Sequence, residues 1–212
     1  MKAMTLKKLV DMQEEPNPLA LVDCPVPEPG PGELRIKVSV CGVCHTELDE
    51  IEGRTPPPQL PVIPGHQVVG RIDKVGPHVD DRLLGKRVGV VWLYSACGHC
   101  KWCRTQRENL CPDFCATGRD VDGGYAEYML APSAFVHPIP ELFTDAEAAP
   151  LLCAGAVGYR SIRLACLQPG APLGLTGFGA SAHLVMSVVQ HLYPKLPIHV
   201  FAHNETKRHF AR

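Results

Sequence analysis

Residues 172–182 read Pro-Leu-Gly-Leu-Thr-Gly-Phe-Gly-Ala-Ser-Ala, and the order of residue types in this stretch decides how the second half of the chain folds. An apolar run, Pro172 to Thr176, enters the turn G-x-G-x-x-A formed by Gly177, Gly179 and Ala182. A helical stretch from about residue 180 to 192 follows, and then a second apolar run, Ile198 to Ala202. Strand, glycine turn, helix and strand predict one β-α-β unit. Gly177 permits the tight turn, Gly179 lets backbone approach an anion, and Ala182 lets the helix pack closely on the strand. The helix N-terminus then presents unpaired N–H groups to a pyrophosphate.

Working back from this unit, Thr144 followed by Asp145, Ala146, Glu147, Ala148 and Ala149 reads as a capped helix start, with a further helix expected from about residue 155 to 165. Before it, from Leu6 to about Val136, short apolar stretches alternate with Pro and Gly, among them Leu34 to Val40, Gln67 to Val75 and Lys86 to Trp92. That texture predicts a β-rich barrel or sandwich with functional loops, and Pro25–Pro31 and Thr55–Pro64 are its turns and connections. The expected organisation is a β-rich domain over residues 1–154 and the beginning of a nucleotide-binding domain over 155–212. A doubly wound sheet of the usual six strands calls for roughly 100 further residues.

Composition narrows the partners. The 212 residues carry 21 Lys and Arg against 22 Asp and Glu, a net charge of −1, with no block of like charge. Neither a nucleic-acid footprint nor an anionic-membrane surface is expected, and no apolar run reaches the length of a membrane span. Small-molecule partners and a cytoplasmic location are the default. In that compartment ten cysteines stay reduced, so clustered ones point to metal.

Cys97, Cys100, Cys103 and Cys111 form C-x-x-C-x-x-C with a fourth Cys after seven residues. Four thiolates close a tetrahedral shell around zinc, leave no open position, and so fix a loop rather than catalyse. An iron-sulfur cluster is the less common alternative for such an isolated lobe, and free thiols are the bland one. His99 and Trp102 between them are read as packing or solvent-facing residues.

Three further segments are individually weak: C-G-V-C-H-T-E at Cys41–Glu47, G-H-Q-V-V-G at Gly65–Gly70, and L-L-C-A-G at Leu151–Gly155. In this order, with the four-cysteine lobe between the second and third, with G-K-R-V at Gly85–Val88 and D-G-G-Y-A-E-Y at Asp122–Tyr128, they make a pattern. It resembles the zinc-dependent alcohol dehydrogenases of the medium-chain dehydrogenase family, cut short at the C-terminus, over essentially the whole chain. The resemblance implies a GroES-like catalytic domain of α+β character, followed by the first β-α-β unit of an α/β Rossmann domain. It implies two zinc ions per chain and NAD or NADP as cofactor. The implied reaction is oxidation of a small alcohol to an aldehyde or ketone, and its reverse, by hydride transfer.

By the same resemblance Cys44, His66 and Cys153 hold the catalytic zinc, leaving the fourth position open for the substrate oxygen. Spacing alone also allows a Cys41–Cys44 pair; the family's ligand is the Cys directly before His, which leaves Cys41 structural. Thr46 resembles the hydroxyl that takes the alcohol proton, and Asp49 stands where the relay often ends in His. His45 resembles the residue that contacts the cofactor pyrophosphate. Glu47 replaces the usual Asp and would accept from the far nitrogen of His66. Gln67 replaces a Glu thought able to approach the zinc during ligand exchange. Trp92 occupies the position of an aromatic wall of the substrate channel, which would favour slender primary alcohols; the alternative is an ordinary core Trp.

The second strand ends in Phe201, Ala202, His203 and Asn204 with no acid at its end. His203, Lys207 and Arg208 could meet a 2′-phosphate, or be the solvated start of the next helix; Asn204 is counted with His203 among the cofactor-binding residues, and NAD and NADP both remain open. The resemblance also implies a homo-oligomeric full-length parent. Two other readings stay in play: a zinc-binding fragment of a longer dehydrogenase that cannot hold the cofactor, and a disulfide-stapled module.

Overall fold

The computed structural model describes every residue except Pro169 and Arg212, and of Lys207 the backbone alone. It divides into two compact units, Met1–Leu152 and Cys153–Arg212.

In chain order the first unit contains β1 (Lys2–Leu6), β2 (Leu19–Asp23), β3 (Glu33–Gly42), α1 (His45–Ile51), β4 (Gln67–Val75), β5 (Arg87–Val90) and β6 (Leu93–Ser95). It continues with β7 (Cys115–Ala116), β8 (Tyr128–Pro132), β9 (Val136–Pro138) and α2 (Asp145–Ala148). The centre is a five-stranded antiparallel sheet in the order β8-β3-β4-β5-β9. The pairs β1-β2 and β6-β7 flank it. Alternation along β4 explains how this sheet serves two cores. Val68 and Ile72 face Leu34, Ile36, Val88, Val90, Met129 and Ala131 on one side. Val69 faces Ala148, Ala149 and Leu152 on the other.

β5 is shorter than the expected strand Lys86 to Trp92, because Val91 and Trp92 turn toward Thr117. The Thr117 hydroxyl donates to the Val91 carbonyl at 2.8 Å, and its N–H donates to the Trp92 carbonyl at 2.8 Å. The segment that leads out of the unit is fastened by Arg87. Its guanidinium donates to Asp145 Oδ1 at 2.7 Å and to the Phe143 carbonyl at 2.7 Å. Thr144 caps α2 in a reciprocal box with Glu147.

Close backbone approaches are made where only glycine fits. A Cβ on Gly76, just past β4, would lie 2.0 Å from the Gly30 carbonyl oxygen and 3.0 Å from that of Glu33. Both are backbone atoms that cannot swing aside. Gly76→Ala is therefore expected to cost about 3 kcal/mol as forced overpacking. A lowered urea midpoint at unchanged slope would show it, and an unmoved midpoint would contradict the contact.

The second unit contains α3 (Ala154–Ala165), β10 (Leu173–Thr176), α4 (Ala180–Leu192), β11 (Ile198–Phe201) and α5 (Glu205–Phe210). β10 and β11 pair in parallel, with Leu173 opposite Ile198. Leu175 packs with Ile162 of α3 and with Val185 and Val189 of α4, so both helices cover the strand pair. Gly158 lets α3 approach Val185, whose methyl a Cβ there would meet at 2.8 Å.

Candidate active site and metal centre

Between β6 and β7 the chain leaves the sheet as the four-cysteine lobe, built of two single 3-10 turns, Cys103–Thr105 and Glu108–Leu110. The four sulfur atoms lie within 4.8 Å of one another, with Cys100 to Cys103 at 3.6 Å and Cys97 to Cys103 at 3.9 Å. Sulfurs about 2.3 Å from a central zinc in tetrahedral array stand about 3.8 Å apart, so the spacing fits the ion. The same distances are far too long for a disulfide, and none of the ten cysteines is in one. Backbone N–H groups of His99 and Cys100 hold the Cys97 thiol down to about 6, while burial pushes Cys103 up to about 12, so the geometry of the four sulfurs is what fits a metal. His99 itself turns its ring to the Cys97 carbonyl at 2.9 Å, and Trp102 lies under the Lys101 ammonium at 4.7 Å.

The second array is centred on α1. Cys44 caps this helix, and its N–H donates to Glu47 Oε2 at 2.8 Å. The other carboxylate oxygen, Oε1, stands 2.6 Å from His66 Nδ1, close but poorly aligned for a directed hydrogen bond. Thus one buried carboxylate ties the Cys44 backbone to the His66 ring. Gly65, in the left-handed region at φ 102°, makes the turn that delivers His66 to the start of β4. Thr46 Oγ1 lies 3.5 Å from Cys44 Sγ.

The electrostatics of this array favour a cation. Burial works against a charged His66, yet the Cys44 sulfur and the Glu47 carboxylate outweigh it and lift the imidazole to about 9. Burial pushes Glu50 up to about 7, helped by Glu47 and opposed by His66, the Trp92 indole and Arg119. Burial likewise drives Tyr125 well above the ordinary phenol value, with Glu47, Cys41 and Cys44 adding to it. Several anionic or acceptor groups therefore share one enclosed space. A divalent ion with thiolate and imidazole donors suits it on charge and on ligand type. Burial pushes the Cys41 thiol up to about 12, and it donates to the Gly42 carbonyl at 3.6 Å.

The remaining residues singled out in the sequence are placed as follows. Asp49 pairs with Arg54 at the solvent side of α1. His45 is exposed at the first turn of that helix, and Gln67 is buried beside Gly42. Trp92 stacks at a tilt on Phe114, ring centroids 5.1 Å apart. Cys153 opens the second unit, caps α3 and accepts at its carbonyl from the Val157 N–H at 2.9 Å. Gly177 adopts φ 86°, its N–H donates to the Phe201 carbonyl at 2.7 Å, and Gly179 caps α4. Ala182 packs into the helix-strand core. His203 and Asn204 are exposed in the turn between β11 and α5; the Lys207 side chain lies outside the described residues.

Three residues near this array escaped the sequence reading: Glu50, Arg119 and Tyr125. A signal for the first existed. α1 buries Glu47, Glu50 and Ile51, a one-sided i, i+3, i+4 pattern that would have exposed two inward carboxylates had the helix been recognised.

A β-rich unit with two donor arrays, joined to a β-α-β unit whose glycine turn opens a helix, defines a metal-site protein with a nucleotide-binding type of second unit. Residues 30–141 match the alcohol dehydrogenase GroES-like domain, and the chain belongs to that family. It is 47% identical over 201 residues to a probable alcohol dehydrogenase of Mycobacterium tuberculosis, an alignment covering 92% of this chain and 57% of that protein. Among solved structures it superposes with TM-score 0.88 and 25% identity on a short chain alcohol dehydrogenase of E. coli complexed with NADH, covering 100% of this chain and 59% of that one. It also superposes with TM-score 0.84 and 26% identity on the cobalt- and zinc-bound thermostable alcohol dehydrogenase of Pyrobaculum aerophilum, covering 98% of this chain and 60% of that one. The chain spans about half the length of the curated relatives it matches.

Proposed function

We propose that this chain carries the metal site and the first nucleotide-binding unit of a zinc-dependent dehydrogenase that interconverts alcohols with aldehydes or ketones using NAD or NADP. The observation that carries the reading is the Cys44–Glu47–His66 array, in which one carboxylate orients both a thiolate-bearing backbone and an imidazole within an enclosed space that favours a cation. Cys44 and His66 are two ligands in this reading, and Cys153 is the third. Cys153 is joined by one peptide bond to Leu152, whose side chain packs against Val69, three residues after His66 on β4. The four-sulfur lobe holds a second, structural zinc.

When bound, the site zinc would supply Lewis acidity and the nicotinamide a hydride acceptor. The chain's own residues orient and protect. Glu47 fixes the His66 ring by its Nδ1, which leaves Nε2 for the metal. Thr46 Oγ1, beside Cys44, takes the alcohol proton; Asp49, already paired with Arg54, passes it toward solvent at the exposed end of α1. Trp92 walls the substrate site, favouring slender alcohols. In the second unit Gly177, Gly179 and the N-terminus of α4 receive the pyrophosphate, with His45 adding a donor and His203 and Asn204 meeting the ribose end.

No helix among the described residues is long and apolar enough to cross a membrane. Ten cysteines outside any disulfide suit a reducing cytoplasm. A homo-oligomer of the full-length protein completes the reading. The test is titration of the zinc-loaded chain with NADH and NADPH, followed by quenching of tryptophan emission. Saturable binding of one cofactor supports the reading and selects between them. No binding of either, in a folded sample, would make the chain a metal-binding unit without a cofactor site.

A further inference from the structure

Glu50 is a buried carboxyl that nothing in the first unit hydrogen-bonds. Its side chain is only 1% exposed, and neither carboxyl oxygen has a hydrogen-bond partner. The groups that face it electrostatically are Glu47, His66, Arg119 and the Trp92 indole N–H. That N–H approaches the carboxyl without reaching hydrogen-bond alignment and is itself buried and unsatisfied. A buried carboxyl and a buried N–H, each lacking a partner and lying close together, are most cheaply satisfied by each other.

The other sides of the same indole are also held. The Arg119 guanidinium lies 5.4 Å from the Trp92 ring centroid and 5.2 Å from that of Phe114, bridging two rings that are themselves in contact. Arg119 is in turn anchored by Asp120 at 2.7 Å, and Asp120 accepts the Ala116 N–H of β7 at 2.7 Å. Two distant segments, α1 and the stretch from Phe114 to Arg119 around β7, therefore converge on one ring. Arg119 also supplies positive charge within reach of the carboxylate.

We propose that Glu50 and Arg119 are positioning residues that clamp the Trp92 indole, Glu50 at its N–H edge and Arg119 over its face, and so set the width of the alcohol site. The second half rests on the assignment of Trp92 to the substrate wall; the clamp itself does not.

The test uses a Trp102→Phe background, in which Trp92 is the only remaining tryptophan emitter. Glu50→Gln keeps the shape and removes the charge, and Arg119→Lys keeps the charge and removes the planar stack. In both, the acrylamide quenching constant of Trp92 is expected to rise about two-fold or more while bound zinc is unchanged, as the ring gains freedom. In the same samples, the branched-to-linear ratio of kcat/KM is expected to rise about ten-fold. Unchanged quenching in both variants overturns the proposal. Changed quenching with an unmoved ratio, in turning-over enzyme, overturns the specificity role. If the unsubstituted chain binds neither NADH nor NADPH, the proposed function is what has failed, and the quenching series still decides the clamp. If Glu50→Gln does not fold, Arg119→Lys carries the same reading.

Discussion

Cys103→Ser is expected to strip the lobe of its zinc and unfold residues 96–114 while leaving the central sheet intact. The lobe has almost no apolar core of its own. Its buried residues are Cys103 and Cys111, and its regular structure is two single turns. Nothing but the metal can therefore offset the conformational entropy of ordering it. Structural zinc contributes roughly 10–16 kcal/mol of binding free energy in zinc-finger peptides, which here would be folding free energy. Lys101, Arg104 and Arg107 are exposed within it, so trypsin should cut the variant there and spare the parent. Zinc counted per chain should fall by one. If zinc content and cleavage are both unchanged, the four sulfurs do not hold the lobe together.

The second large effect is expected at Glu47. Replacing it by Ala removes one group that makes two connections at once, to the Cys44 N–H and to His66 Nδ1. The His66 ring then loses the partner that fixes its tautomer, and the helix start that carries Cys44 loses its box. Loss of such an outer partner lowers metal affinity about 10- to 100-fold. Competition with a chromophoric chelator reads this directly: one zinc should leave at lower chelator concentration than in the parent, and the lobe zinc should not move. Glu47→Gln keeps an acceptor for Cys44 but not the charge on His66, so it should fall between. Equal affinity in all three proteins would remove Glu47 from the metal site.

Much of this molecule is legible before any coordinates. The stretch from Pro172 to Ala202 reads as strand, glycine turn, helix and strand because local rules act over a few residues each. β10, α4 and β11 lie within a residue or so of those expectations. α1 was not legible. Its N-cap is a cysteine, outside the Ser, Thr, Asp and Asn that announce a helix start, and its inward face carries carboxylates where apolar residues are expected.

The sequence by itself pointed to the four-cysteine cluster, since four cysteines at short spacings within fifteen residues can reach one ion without help from distant parts of the fold. It also determined the β-α-β unit and, through the order of its motifs, the family. Only the tertiary structure decided that Glu47 links Cys44 to His66 and that Glu50 is buried without a partner. Only it brings Arg119, 69 residues from Glu50 along the chain, to the ring of Trp92. Those relations are set by which strands pair and by how α1 packs Ile51 against Leu6 and Val62. No local pattern encodes the distance between residues that only a folded sheet brings together.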